Sequence, residues 1–599
     1  MDTEENTNSM KSYSKIEEAA QSEEAFRRKT RKRLMIIVLS VLVLLIIVTG
    51  SSIGILASRN KSKDLSSPTY SANSNIRTLC NVTRYPESCY SSMSSAIKAS
   101  SNGENPNPQT KELFLLSLKI AFDELMNLSS LPQKIISSQN YRNEINDPLL
   151  QSALRDCETL FNDAIDHIKE SISSMQVGGG NTSKIIDDIR TWLSTAITDQ
   201  ETCIDGLKEA GKHLTLTNEV RYAMSNSTEF TSNSLAIASI VLTVLDDLQI
   251  PIHRRLLRVF SDDHSQDHGD LDAGFPIWVH IRDRRFLLEE KPKPNLTVAW
   301  DGSGDFKTIK EAVESIPKRS KSQFIIYVKE GLYLENVTID KNYWNVMIYG
   351  DGMNRTIVSA RNNKVDGVST FFSGTFIAAG RGFIAKDMGF RNTAGPQKEQ
   401  AVALRSSSDQ SIFYRCSFDA YQDTLYTHSN RQFYRDCQIT GTVDFIFGNA
   451  AVVFQNCTIQ PRQPLPGQYN TITAQSKSDP NQNTGMSIQR CQMTPLDNLT
   501  ATTYLGRPWR DYATTVIMQS YMGEFLDPLG WASWEANIST VYYAEFRNFG
   551  PGSMTGRRVR WPGVRPNITY EEAEKFAVES FIHGSQWLPQ AQVTYDGTI

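Results

Sequence analysis

SIFYRCSFDAYQDTLYTHSNRQFYRDCQITGTVDFIFGNAAVVFQNCTI, residues 411–459, carries one short pattern three times. Phe413 leads to Cys416 and Phe418, Phe433 to Cys437 and Ile439, and Phe454 to Cys457 and Ile459. The cysteines stand 21 and then 20 residues apart, and Asp423 and Asp444 are also 21 apart. A fixed period of 20 to 50 residues is the signature of a stacked repeat, in which each turn of chain buries its apolar face against the next. Whatever sets the cysteines in register therefore sets the two aspartates in register too.

The surrounding texture supports a coil built of strands. From residue 295 onward short β-rich runs such as FIIYV (324–328), VTI (337–339), VMIYG (346–350) and TIVSA (356–360) alternate with Gly, Asn and Asp turn residues. One helix-like stretch, 309–316, is placed to cap an end, and Ile488 and Cys491 echo the pattern later. The architecture expected here is a right-handed parallel β-helix. A β-sandwich or barrel, the alternative, leaves the recurrence of Cys and Asp as coincidence. Equivalent positions on adjacent coils stack at about 4.8 Å. That separation suits a disulfide, so Cys437 and Cys457 are expected to be bridged, with Cys416 and Cys491 on the same ladder. Asp423 and Asp444 then face one groove. Two carboxylates that close do not both ionise freely, so one pKa rises and leaves a proton donor. Arg507, in LGRPW, is a candidate cation to hold the other. Gln400 lies 22 residues before Gln422, about one coil, so two amide donors join the groove.

A chain of 599 residues is too long for one ordinary core and predicts at least two domains. With 40% hydrophobic and 21% charged residues it reads as globular. The formal charge of −4 says little about partners; no nucleic-acid partner, metal or cofactor is expected. Eight cysteines, together with Asn-x-Ser/Thr sequons at Asn81, Asn127, Asn226, Asn336 and Asn567, favour a secretory route. Residues 1–33 end in the basic run RRKTRKR, and residues 34–57 are uncharged and long enough to cross a bilayer. The positive-inside rule makes this a type II signal anchor with a cytosolic tail; a long cleavable signal peptide is the alternative.

After a linker at 58–75, residues 76–250 read as a helical bundle. Leu115, Leu118, Phe122, Leu125 and Leu128 recur at three- and four-residue spacing, and similar patterns run through 148–174, 182–210 and 231–248. Cys80 and Cys89 are near enough to staple a hairpin, and Cys157 and Cys203 to tie two helices, although four cysteines allow three pairings. His167 and His213 have no second ligand at metal spacing and read as packing or surface residues. Residues 251–294 are polar, with the clusters Arg254 Arg255 and Arg284 Arg285 between the two domains. There a subtilisin-like processing protease would cut without breaking a core.

CNVTRYPESC from Cys80, with Cys157 and Cys203, resembles the invertase and pectin methylesterase inhibitor domain, a four-helix bundle. GLYLE (331–335), FRNTAGPQKEQAVALR (390–405), YQDTLY (421–426), GTVDFIFGNAAVVFQNC (441–457) and LGRPW (505–509) resemble plant pectin methylesterases in family order across 295–599. The resemblance implies a pectinesterase with its own inhibitor-like pro-region. It makes Asp444 the nucleophile, Asp423 the acid and then base, and Gln422 the oxyanion stabiliser. Thr370, Gln400, Arg507 and Trp509 become substrate-site residues, and Phe371, Tyr426, Phe447 and Trp534 further surfaces for sugar rings. Glu399, where a His is common, departs from the pattern. The implied substrate is methyl-esterified homogalacturonan in the cell wall, with inhibitor proteins as further partners. A Ser-His-Asp or zinc hydrolase is poorly supplied, since there is no G-x-S-x-G or HExxH motif. The rivals are a β-helix polygalacturonase or pectate lyase, and a non-catalytic pectin-binding or inhibitor protein.

Overall fold

The repeat at 411–459 is two coils and the start of a third. Ser411–Tyr414 lies in an eleven-stranded sheet, Ser417–Asp419 in an eight-stranded one and Leu425–Thr427 in a seven-stranded one. Arg431–Arg435, Gln438–Gly441 and Ile446–Gly448 then visit the same three sheets again. Every pairing is parallel, which gives the three walls of a β-helix. The computed structural model describes residues 69–100, 110–141, 145–177, 182–211, 214–242, 292–591 and 593–599. The expected anchor at 34–57, His213 and the arginine pairs at 254–255 and 284–285 lie outside these. Among the described residues no helix is long and apolar enough to cross a membrane.

Inside the coil, side chains stack on their counterparts. Phe413 opposes Tyr434, and Tyr434 opposes Phe454, with ring centroids 4.6 and 4.8 Å apart. The second repeat thus offers Tyr434 to the core in place of Phe433. A one-residue offset reverses the face of a strand, and Phe433 packs outward against Val578, Ile582 and Leu588 of the C-terminal segment. The corner into the eight-stranded sheet is made by single left-handed residues, Arg415, Asp436, Asn456 and Arg490, at φ 53°, 55°, 55° and 52°. This conformation costs an L-residue roughly 1–2 kcal/mol. Repeating it once per coil aims the following cysteine inward each time.

The cysteine expectation needs correction. Cys416, Cys437, Cys457 and Cys491 form the expected ladder, but all four are free and buried, so Cys437 and Cys457 are not bridged. In-register side chains on parallel strands project in the same direction, so their Cβ atoms stay at the strand spacing of about 4.8 Å. A disulfide wants Cβ atoms about 3.8 Å apart and turned toward one another. The Cys437 thiol instead donates toward the carbonyls of Phe413 and Arg435, both at 3.3 Å. In the helical region, where neighbouring Cβ vectors converge, Cys80–Cys89 and Cys157–Cys203 are bonded, with Cα atoms 5.6 and 4.5 Å apart.

That region has a hairpin of α1 (Thr69–Cys80) and α2 (Pro86–Ser100). Then come α3 (Thr110–Leu128), a short α4 (Leu131–Ser137), α5 (Pro148–Val177), α6 (Thr182–Glu209) and α7 (Leu214–Ala236). Helix α3 is wedged against both α5 and α7, so its buried stripe widens. Phe114 and Ala121 join Leu118, Leu125 and Leu128 in the core, while Leu115 and Phe122 are half-buried. Helix α6 crosses the outer face of the seven-stranded sheet. Thr195 Oγ1 donates to Asn430 Oδ1 at 3.0 Å, Asn449 Nδ2 donates to Thr198 Oγ1 at 2.9 Å, and Thr202 Oγ1 lies 3.1 Å from His428 Nε2. At the N-terminal end of the coils the helix Ile309–Glu314, capped by Thr308, buries Ile309, Ala312 and Val313 against the first turns.

Candidate active site

The strand pairing Leu425↔Ile446 sets Asp423 directly beside Asp444 on the neighbouring coil. Both aspartates are left-handed, at φ 64° and 51°, because each sits where the chain bends into the seven-stranded sheet. Both are nearly buried, at 7% and 4% exposed, on a cavity of about 340 Å³ also lined by Thr370, Gln400, Gln422, Phe447, Arg507, Trp509 and Trp534. The fold thus brings together residues from six separate segments. Phe371 and Tyr426 lie outside this lining, buried under the helical bundle at 3% exposure each. Tyr426 stacks on Phe447 at 4.2 Å, and Phe371 packs edge-on to His428.

The two carboxylates have different surroundings. Asp444 Oδ1 accepts from Arg507 Nε at 2.9 Å and Oδ2 from Arg507 Nη2 at 2.6 Å, a forked grip. Thr471 Oγ1 donates to Asp444 Oδ1 at 2.6 Å and accepts the Asp444 backbone N–H at 2.9 Å. Burial works against the Arg507 charge, but the Asp444 carboxylate outweighs it and holds the guanidinium above its ordinary range. The guanidinium also lies 3.9 Å over the Trp534 ring. Asp423 has no such cation in its grip. Burial first, then the charges of Asp444 and Glu209, push its carboxyl well above the usual carboxylate range. One acid of the pair is therefore arranged to carry a proton next to a carboxylate held by arginine. The buried Gln400 Oε1 has no hydrogen-bond partner.

Two groups of residues escaped the sequence reading. Thr471 and Tyr469, the latter bonded to Arg507 Nη1 at 3.2 Å, belong to a coil lengthened by the loop before Asn470. There Ile446 pairs with Thr473, 27 residues on, so the 21-residue period no longer points to them. The second group comes from the bundle. Glu209, at the end of α6, accepts the Thr370 backbone N–H at 3.1 Å, and Asp205 and Glu201 pair with Arg510. No periodicity within either domain encodes a contact between them. Among the described residues no cluster of His, Cys, Asp and Glu is arranged to hold a metal.

Residues 295–585 match the pectinesterase family and residues 74–237 the plant invertase/pectin methylesterase inhibitor family. Pectinesterase 3 of Phaseolus vulgaris is 50% identical over 608 residues, covering 99% of each chain. The chain belongs to the pectinesterase family. As a pectinesterase it is a carboxylic ester hydrolase, which sets aside the glycosidase, lyase and inert-binder readings. Pectinesterase 1 of Arabidopsis thaliana is 48% identical over 600 residues, covering 98% of each chain. Among solved structures, the pectin methylesterase from carrot is 48% identical with a TM-score of 0.51, covering 52% of this pectinesterase and 100% of the carrot chain. The carrot enzyme thus stands as a chain without a counterpart to about half of this one.

Proposed function

We propose that this pectinesterase hydrolyses the methyl esters of homogalacturonan, releasing methanol and leaving free carboxylates, through Asp444 as nucleophile and Asp423 as proton carrier. The observation that carries the reading is the unequal pair: one carboxylate gripped by Arg507, the other proton-holding, on adjacent coils of one cavity. The carboxylate of Asp444 attacks the C6 carbonyl of an esterified galacturonate, and the amides of Gln422 and Gln400 donate to the oxyanion that develops. Asp423 gives its proton to the departing methoxide, which leaves as methanol. A water then enters, passes a proton to Asp423 and adds to the acyl carbon. This frees the uronic acid and restores Asp444. Thr370, Phe447, Trp509 and Trp534 offer the polar and flat surfaces on which sugar rings seat.

In this reading the helical bundle restrains the enzyme. Its core is continuous with the groove side chains Phe371, Tyr426, Phe447 and Ala474, so a polymer has no room along the sheet while the bundle sits there. Cleavage at 254–255 or 284–285 by a subtilisin-like protease then frees the 295–599 domain into the cell wall from a precursor anchored by 34–57. The chemical assignment is tested by methanol release from methylated pectin. Asp444→Ala is expected to lower it by at least about 10³-fold without chain shortening or unsaturated product in either protein. Full methanol release by the variant removes Asp444 from the role.

A further inference from the structure

Gln400, which lines the cavity, follows directly on a residue in a costly conformation. Glu399 ends the short turn Pro396–Lys398 at φ 56° and ψ −131°. Another residue of positive φ, His583 at φ 52° and ψ 49°, sits in the small left-handed basin open to L-residues, whereas Glu399 lies outside it. A residue with a Cβ keeps such a backbone only where its surroundings hold it there.

The loop 361–368 holds it. This loop turns the equivalent corner of the coil before, since Ala360 pairs with Asn392 and Phe376 with Leu404. The Lys364 backbone N–H donates to the Gln400 carbonyl at 3.0 Å, and Lys364 Nζ donates to Glu399 Oε2 at 3.0 Å, so one lysine grips both residues. A second ion pair, Lys398 with Asp366, joins the same two segments. Asp366 is itself fixed by the buried Asn363, whose Nδ2 donates to Asp366 Oδ2 at 2.7 Å and whose Oδ1 accepts the Asp366 N–H at 2.9 Å. On its other side Gln400 runs into the coil: the Ala401 N–H donates to the Gln422 carbonyl at 3.3 Å, and Asn392 Nδ2 to the Val402 carbonyl at 3.0 Å. The Glu399 side chain is 54% exposed and that of Lys364 23%, so their ion pair adds little to stability. Neither residue lines the cavity, and the consequence of the pair is geometric.

We infer that the Lys364–Glu399 ion pair is a positioning element for the ester hydrolysis, holding the Glu399 backbone in the conformation that aims the Gln400 amide at the developing oxyanion. The inference rests on the esterase reading above, in which Gln400 donates to that oxygen. An oxyanion donor acts only within hydrogen-bond reach of the place where charge develops. Tilting the peptide that carries it therefore lowers kcat and leaves ground-state binding of the polymer alone.

The test measures kcat and KM for methanol release from methylated pectin by residues 292–599, the half that the carrot relative shows standing alone. Lys364→Met and Glu399→Gln are each expected to lower kcat about 10-fold, with KM within about twofold and the melting temperature unchanged. The double variant is expected to lose about 10-fold as well, because both changes remove the same interaction. Lys364→Arg, which keeps the ion pair, should retain most of the rate. A kcat within about twofold of wild type in both single variants overturns the inference, and so does a loss of about 100-fold in the double variant, the product expected of independent sites. Absence of methanol release by the wild-type domain overturns the esterase reading, and the inference with it.

Discussion

The β-helix and the helical bundle meet at the same groove but are built on opposite terms. On the β-helix side each charged group at the reacting centre is matched: Asp444 with Arg507, Thr471 behind both, and a single proton-bearing neighbour in Asp423. On the bundle side some acids are paired with the coils, such as Asp188 with Arg431 and Asp205 with Arg510, while the buried Asp156 has no hydrogen-bond partner among the described residues. Burial raises Asp156, Asp199, Glu201 and Glu209 above the usual carboxylate range. The difference supports the proposed reading, in which the site is complete within the coils and the bundle is a cover. The cover is held by apolar contact, by hydrogen bonds and by ion pairs such as Asp188 with Arg431 and Asp163 with Lys341, against the cost of the acids it buries.

Striking the matched side should give the larger effect. Thr471→Val removes a hydroxyl that donates to Asp444 and accepts its backbone N–H while keeping the side-chain shape. Losing a hydrogen bond to a charged group costs about 1.5–3 kcal/mol, so kcat in the released domain is expected to fall roughly 10- to 100-fold. KM should change little, and Thr471→Ser should restore most of the rate. A Thr471→Val enzyme with normal kcat would mean that Arg507 alone positions Asp444.

Striking the cover gives a smaller, pH-dependent effect. Asp156, packed near Ser369, Glu209 and Arg405, holds its proton to about pH 8 in the closed chain but has an ordinary value of 3.8. Closure is therefore fully supported below about pH 4 and loses support as pH rises through that window, by about 1.4 kcal/mol per pH unit at most. The ratio of uncut-chain to released-domain activity on pectin should rise between pH 5 and 8. Asp156→Asn should flatten the rise, because its side chain is neutral throughout. A ratio independent of pH in the wild type would assign closure to contacts other than these acids.

Much of this comparison is legible in the sequence, for a physical reason. A coil repeats its own register, so a 21-residue spacing in the sequence becomes a neighbour across one strand gap, and Asp423 meets Asp444. Arg507 followed from the need for a cation beside a carboxylate pair. The period did not carry side-chain facing. Cys416 and Cys437 are 21 apart but Phe413 and Phe433 only 20, and that one residue sends Phe433 outward and Tyr434 inward. Nor did strand spacing alone predict bonding, since Cys437 and Cys457 stack without the converging geometry of a disulfide. Thr471 was hidden by a coil of different length. The bundle contacts of Glu209 and Asp205 depend on two domains meeting, which neither periodicity records.

The central claim is that the coils alone hold a complete site and the bundle only covers it. The most direct measurement compares initial methanol release from methylated pectin by residues 292–599 and by the uncut chain at equal concentration and pH. The account predicts that the released half is faster by about 100-fold, the weight of roughly 2.7 kcal/mol of closure. Equal rates, or a faster uncut chain, would contradict it.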